Sequence, residues 1–127
     1  MLNVKKKANL KIFCLIIAII LGWLGHDFLA DKLEIVKNYG ISFGLEINWL
    51  FLVGIVLFLS FFWVKNKRLD VGIILVGGII NLIDRLYFGY VRDYWQFFLV
   101  YNNLADWLIG VGIGLFFIKF LWKESRK

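Results

Sequence analysis

Four apolar stretches divide the chain. Ile12 to Ala30 is apolar except for His26 and Asp27 at its far end, and Ile47 to Val64 carries no charge. Val71 to about Tyr87 is apolar through Ile80 and then meets Asn81, Asp84 and Arg85. Asn103 to about Trp122 has Asp106 in its first turn and Lys119 near its end. Crossing hydrocarbon as a helix takes about 20 mostly apolar residues, so each stretch is fit to span, and Lys119 can reach the interface on its alkyl stem. The pattern predicts an all-α membrane protein with four transmembrane helices, at about 12–30, 47–64, 71–87 and 103–122, joined by short extramembrane elements. Lys5-Lys6-Lys7 followed by an apolar run also has the shape of a signal peptide. No A-x-A-like cleavage site follows it and three further spans do, so a retained first helix is expected.

Composition supports lipid as the solvent. Hydrophobic residues make up 61% of the 127, proline is absent, and the mean hydropathy is +0.79. A soluble domain averages about 45–50% apolar residues, and a chain this short has too little interior to hide the excess. A single membrane-embedded domain over residues 1–127 is expected. The formal net charge of +6 does not point to nucleic acid, because the charges sit in clusters between apolar runs. Lys5, Lys6, Lys7 and Lys11 precede the first span. Lys65, Lys67 and Arg68 follow the second, and Lys119, Lys123, Arg126 and Lys127 close the chain. The other two loops and their helix ends hold only Lys32, Lys37, Arg85 and Arg92. The positive-inside rule then places both termini in the cytoplasm.

That orientation carries the polar helix ends at Asp27, at Asn81 to Arg85 and at Asn103 to Asp106 to one outer face. Asn81, Asp84 and Arg85 stand at i, i+3 and i+4, on one side of a helix, as do Asn103 and Asp106. The latter stripe continues into Gly110 and Gly114, a G-x-x-x-G pair suited to close helix packing, and Gly77-Gly78 offers the same in the third span. Trp63, Tyr87, Tyr90, Trp95, Tyr101 and Trp122 fall at span ends, as interfacial belts do. Taken singly, Asp84 or Asp106 reads equally well as a solvated or dipole-favoured residue at a helix end. Asp93 and Asp106 together suggest chemistry: two neighbouring carboxylates share one proton, so that one activates water while the other polarises a carbonyl. Intramembrane carboxylates also serve proton relays, which keeps a proton-coupled membrane carrier component as an alternative. Cys14 stands alone, so no intrachain disulfide is possible. His26 reads as an interfacial polar residue, and the chain has no His/Cys cluster of the kind that holds a metal.

The run Asn81-Leu82-Ile83-Asp84-Arg85, followed by Gly89-Tyr90-Val91-Arg92-Asp93-Tyr94, resembles the lipoprotein signal peptidase signature N-x-x-D-R-x-x-x-G-x-V-x-D plus an aromatic residue. Asn103-Leu104-Ala105-Asp106 is similar to the family's N-x-A-D, and Asn38-Tyr39-Gly40-Ile41-Ser42-Phe43 to its N-x-G-x-[small]-F. The resemblance implies a membrane aspartic endopeptidase that removes the signal peptide from diacylglyceryl-modified prolipoproteins, cleaving before the lipidated cysteine. It implies Asp93 and Asp106 as the catalytic pair and neither metal nor cofactor, with which the lack of a His/Cys cluster agrees. Asn81, Asp84, Arg85 and Asn103 would support the site, and Asn38 and Gly40 would meet the substrate. The expected setting is the bacterial cytoplasmic membrane, with the site facing outward, membrane lipids and prolipoproteins as partners, and a monomer. A non-catalytic lipoprotein-binding homologue is a further alternative. One departure concerns the family's D-Q-x-x-K motif: Asp27 is followed by Phe28, Asp31 occupies the lysine position, and Lys32 is displaced by one. The broken motif leaves Asp27 as a supporting residue; a second departure is the short first outer loop, which implies a reduced outer platform for gripping substrate.

Overall fold

The computed structural model describes residues 2–40 and 49–126, with backbone alone for 2–5 and 49. In chain order the elements are α1 (Leu2–Lys32), β1 (Val36–Asn38), α2 (Trp49–Asn66), α3 (Leu69–Phe88), β2 (Val91–Asp93), β3 (Trp95–Phe97), β4 (Val100–Asn102) and α4 (Leu104–Glu124). By length and composition α1, α3 and α4 can each cross a membrane. Among the described residues α2 has 18, about 27 Å of helix at 1.5 Å per residue. Ile47, the expected start of that span, lies outside the described residues. So do Ile41, Ser42 and Phe43 of the third motif. The helix α1 begins earlier than the apolar pattern does, because nothing in the lysine-rich N-terminal segment breaks a helix.

The helix α3 is the hub, packing most extensively on α4 and also on α1 and α2. Trp63, Val71 and Leu75 form one buried cluster with Leu15 and Phe62 against it, and Val76, Ile80 and Ala105 form a second with Ile19, Trp23 and Leu108. Outside this seam the helices present apolar side chains to their surroundings. On α1, Ile16, Ile20, Leu21, Leu24 and Phe28 are all exposed. An apolar surface so extensive is foreign to water-soluble monomers and matches a multi-pass membrane protein.

Of the glycines expected to permit close packing, Gly77 does so, whereas Gly110 and Gly114 do not and Gly112 takes their place. A Cβ on Gly77 would run into the Ala105 carbonyl oxygen and, at 2.8 Å, Ile109 Cγ1; one on Gly112 would lie 2.5 Å from Ile74 Cγ1 and 2.8 Å from the Asp70 carbonyl. Gly110 and Gly114 have nothing within 4 Å. The reason is angular. At about 100° per residue, Ala105, Ile109 and Gly112 share the face toward α3, whereas Gly110 lies on the side of Asp106. Gly77→Ala and Gly112→Ala are each expected to destabilise the protein by about 1–3 kcal/mol through overpacking, and Gly110→Ala and Gly114→Ala to leave stability unchanged. Thermal unfolding in detergent micelles checks this, and equal losses at all four positions would contradict the assignment.

At the end of the bundle where α3 begins, Asp70 is fully buried and accepts from Arg68 Nη2 at 2.7 Å and from the Val71 N–H at 3.0 Å. Lys119, expected to seek the interface, lies 3.8 Å from the same carboxylate. At the other end the connecting segments form short strands rather than plain loops. Gly89 closes α3 with φ +81° and donates its N–H to the Arg85 carbonyl at 3.0 Å, a conformation that costs glycine little. The chain then enters β2, which pairs antiparallel with β1 in the register Val36↔Asp93 and Asn38↔Val91. A hairpin of β3 and β4 follows, with Trp95 opposite Asn102, and delivers the chain to the start of α4.

Candidate active site

The N-terminus of α4 organises the site. Asn103 is its N-cap: Asn103 Oδ1 accepts from the Asp106 N–H at 3.1 Å, and Asp106 Oδ2 accepts from the Asn103 N–H at 3.3 Å, a reciprocal capping box. With its oxygen engaged, the Asn103 amide nitrogen points back into the bundle. It donates to Asp93 Oδ1 at 2.7 Å and to Asn81 Oδ1 at 3.1 Å. Asn81 in turn donates through Nδ2 to Asp106 Oδ1 at 2.8 Å. Two amides thus bridge the two carboxylates, each nitrogen donating and each oxygen accepting.

The other oxygen of Asp93 accepts from Asn38 Nδ2 at 2.9 Å, an amide carried by β1 at the register position beside β2. Asn38 Oδ1 accepts from the Gly40 N–H at 3.0 Å. Arg85 Nη2 donates to the Gly40 carbonyl at 2.6 Å, and Nη1 to the Asn81 carbonyl at 3.2 Å. Among the described residues Arg85 forms no ion pair with either carboxylate. It holds backbone in place and lends its positive charge to the site. Asp93 is 1% exposed. Burial pushes its carboxyl up to about 6, opposed by the Asn38 and Asn103 amides, with the nearby Asp106 raising it further and Arg85 lowering it.

A cavity of about 650 Å³ opens beside this bridge between α2, α3 and α4. Asn38, Asn81, Arg85 and Asp106 lie at its polar end, and residues such as Leu52 and Ile113 line its apolar walls. Gly110, below Asp106, contributes open space rather than helix contact. A second cavity, of about 440 Å³ near Cys14 and Trp63, has no carboxylate in its lining.

Asn38, Gly40, Asn81, Arg85, Asp93, Asn103 and Asp106, all named by the sequence motifs, lie in one hydrogen-bonded cluster. Asp27 and Asp84 do not join them. Asp84 is fully buried and accepts from Arg92 Nη2 at 2.8 Å and from the Arg92 N–H at 3.0 Å, and its Oδ2 lies 2.8 Å from His26 Nε2. Asp27 accepts from Arg92 Nη1 at 2.7 Å. Burial opposes the Arg92 charge, but Asp84 and Asp27 more than offset it and hold the guanidinium above its ordinary range. Among the described residues Lys32 pairs only with its exposed neighbour Asp31, at 3.8 Å.

His26, read from sequence as an interfacial polar residue, is instead fully buried. Its Nδ1 lies 3.1 Å from Tyr94 Oη. That hydroxyl accepts from the Leu104 N–H at 3.0 Å, and burial pushes it up to about 12. Arg92, counted earlier only as a loop charge, and Tyr94 belong to the same network. Their position on either side of Asp93 was the available signal.

A family model described as signal peptidase (SPase) II matches residues 2–122. The chain is 36% identical to a lipoprotein signal peptidase of Halothermothrix orenii over 105 residues, 74% of this chain and 72% of the relative. It is 34% identical to one of Clostridioides difficile over 107 residues, again 74% and 72%. A third, from Caulobacter vibrioides, is 36% identical over 132 residues, 85% and 79%. The fold is similar to that of a bacterial membrane enzyme solved by the in meso method at 2.3 Å resolution. The TM-score is 0.74 at 19% identity, over 94% of this chain and 92% of that one.

Proposed function

Because the chain belongs to the signal peptidase II family, we propose that it is the aspartic endopeptidase that cleaves diacylglyceryl-modified prolipoproteins before the lipidated cysteine. The observation that carries this reading is the amide bridge from Asp93 through Asn103 and Asn81 to Asp106, placed at the polar end of an apolar-walled cavity. The pair holds one proton. The ionised carboxylate takes a proton from water, and the protonated one donates a hydrogen bond to the scissile carbonyl. Water attack gives a tetrahedral centre, which collapses as the carboxyl that took the water's proton gives it to the amide nitrogen, which leaves as the amine of the lipidated cysteine. Asn81, Asn103 and Asn38 hold the carboxylates in position, and Arg85 fixes Gly40 and the Asn81 carbonyl. Asp27 and Asp84 support the site from behind. The apolar walls suit a signal sequence and lipid chains, which remain in contact with membrane lipids during cleavage. Each chain carries the whole set, so a monomer of one domain suffices.

Purified protein in detergent is expected to cleave a lipidated prolipoprotein with no gradient applied. An intact substrate, with the protein shown to be folded, counts against the peptidase and favours a carrier or a binding homologue.

In this reading both termini are cytoplasmic in the bacterial cell membrane and the carboxylates face outward, in keeping with the basic residues of the N-terminus, of the α2–α3 connection and of the C-terminus. In a Cys14→Ala background, Leu99→Cys, at a site 94% exposed, is expected to react with an impermeant thiol reagent on spheroplasts. Asn66→Cys is expected to react only after lysis. The reverse pattern would invert the topology.

A further inference from the structure

We propose that His26, as its Nε2–H tautomer, is a positioning residue that ties together the two chain segments carrying Asp93 and Asp106. The inference rests on the aspartic-peptidase reading and adds to it a residue on α1, a helix that contributes neither carboxylate of the pair.

Asp93 sits in β2 between two residues held by one imidazole. On one side, the Arg92 N–H and guanidinium bind Asp84, whose Oδ2 also lies 2.8 Å from His26 Nε2. On the other side, Tyr94 Oη lies 3.1 Å from His26 Nδ1. The same hydroxyl accepts from the Leu104 N–H, in the first turn of α4. That turn carries Asn103 and Asp106, so the imidazole reaches the start of Asp106's helix through a single side chain.

The hydrogen bonds select the tautomer. The Leu104 N–H can only donate, so it occupies a lone pair of the tyrosine oxygen. The tyrosine proton is then free to donate to a bare Nδ1. Nε2 carries the imidazole proton and donates to the Asp84 carboxylate, which can only accept when ionised. With the opposite tautomer, a lone pair of Nε2 would face a carboxylate and Nδ1–H would face the tyrosine hydroxyl. Phenylalanine at position 26 fills the space but breaks both links. Asp93 and the α4 N-terminus can then shift relative to each other, while the cavity that receives the substrate keeps its walls.

His26 is the chain's one histidine, so ¹⁵N-histidine labelling reports it alone. The expected NMR spectrum in detergent has one protonated nitrogen and one bare nitrogen, with the proton on Nε2. A proton on Nδ1, or averaging between tautomers, overturns the proposal. His26→Phe and Tyr94→Phe are each expected to lower kcat by about 100-fold, the scale of a 1 Å misplacement, with KM unchanged. The double variant should be no slower than the slower single, because the two act as a unit. Native kcat per folded enzyme in either single variant, or additive losses in the double, also overturns it. Where His26→Phe does not fold, Tyr94→Phe, which leaves the His26–Asp84 bond, carries the kinetic test. Asp93→Asn measured alongside separates the two ideas: if it still cleaves, the aspartic reading fails. If it is inactive while His26→Phe retains kcat, only the positioning role fails.

Discussion

Asp93→Asn and Asp106→Asn are each expected to slow cleavage of a lipidated prolipoprotein by about 10³–10⁴-fold, near the upper range for removing a general acid or base. The double variant should be no slower than the singles. One carboxylate cannot both take a proton from water and polarise the carbonyl, and residues that act as a unit lose their effect together. Asparagine matches aspartate in volume but not in hydrogen bonding. Both oxygens of Asp93 accept from amides, and both of Asp106 accept from N–H groups. An asparagine at either place turns one of these acceptors into a donor facing a donor, which costs about 1–3 kcal/mol. Single-turnover rates must therefore be normalised to folded protein. Near-native cleavage by either single variant removes that aspartate from the mechanism.

The pH profile carries the sign. Asp93 binds its proton more tightly when folded than unfolded, so the stability from this group is present at low pH and lost as pH rises through about 6. In the proposed mechanism the same ionisation would remove the proton that the pair shares, so kcat/KM is expected to fall on the alkaline side of about 6. Substrate that displaces water from the site raises the carboxyl further and moves the corresponding limb of kcat upward. Arg85→Gln removes a charge that lowers Asp93, and should shift the kcat/KM limb to higher pH. A shift in the opposite direction contradicts the assignment of the proton to Asp93.

Asp84→Asn is expected to destabilise the protein by about 3–5 kcal/mol, the scale of breaking a buried ion pair from one side. Asp84 is fully buried, and the guanidinium it meets is 9% exposed. The substitution leaves Arg92 with Asp27, itself 44% exposed, as its one carboxylate partner among the described residues. It also removes the carboxylate that lies 2.8 Å from His26 Nε2. Adding Arg92→Met to Asp84→Asn should recover much of the loss, because the remaining penalty is that of an uncompensated buried cation. Unfolding in denaturant, compared across the wild type, both singles and the double, measures the coupling. A loss of less than about 1 kcal/mol in Asp84→Asn, or no recovery in the double, would show that the network does not stabilise the bundle in this way.

The membrane-spanning architecture was legible in the apolar pattern, and the spaced signatures named the residues of the proposed site. Lipid supplies no hydrogen-bond partner for the backbone, so apolar runs of helical length have one outcome, readable without a structure. The spaced signatures brought Asn38, Gly40, Asn81, Arg85, Asp93, Asn103 and Asp106 onto one list. Which of them meet depends on helix rotation and packing, which the sequence pattern does not display. Asn81, Asp84 and Arg85 share a helix side, yet Asp84 and Arg85 diverge by about 100° around the axis. That angle sends Asp84 toward α1 and His26, and Arg85 toward Gly40. The same geometry turned Gly110 toward the cavity and left close packing to Gly77 and Gly112. The burial of His26 was equally illegible, because a polar residue near a span end looks the same whether it faces the interface or an inward carboxylate. Helix rotation and the pairing of β1 with β2 make that choice, and both arise from contacts between segments distant along the chain.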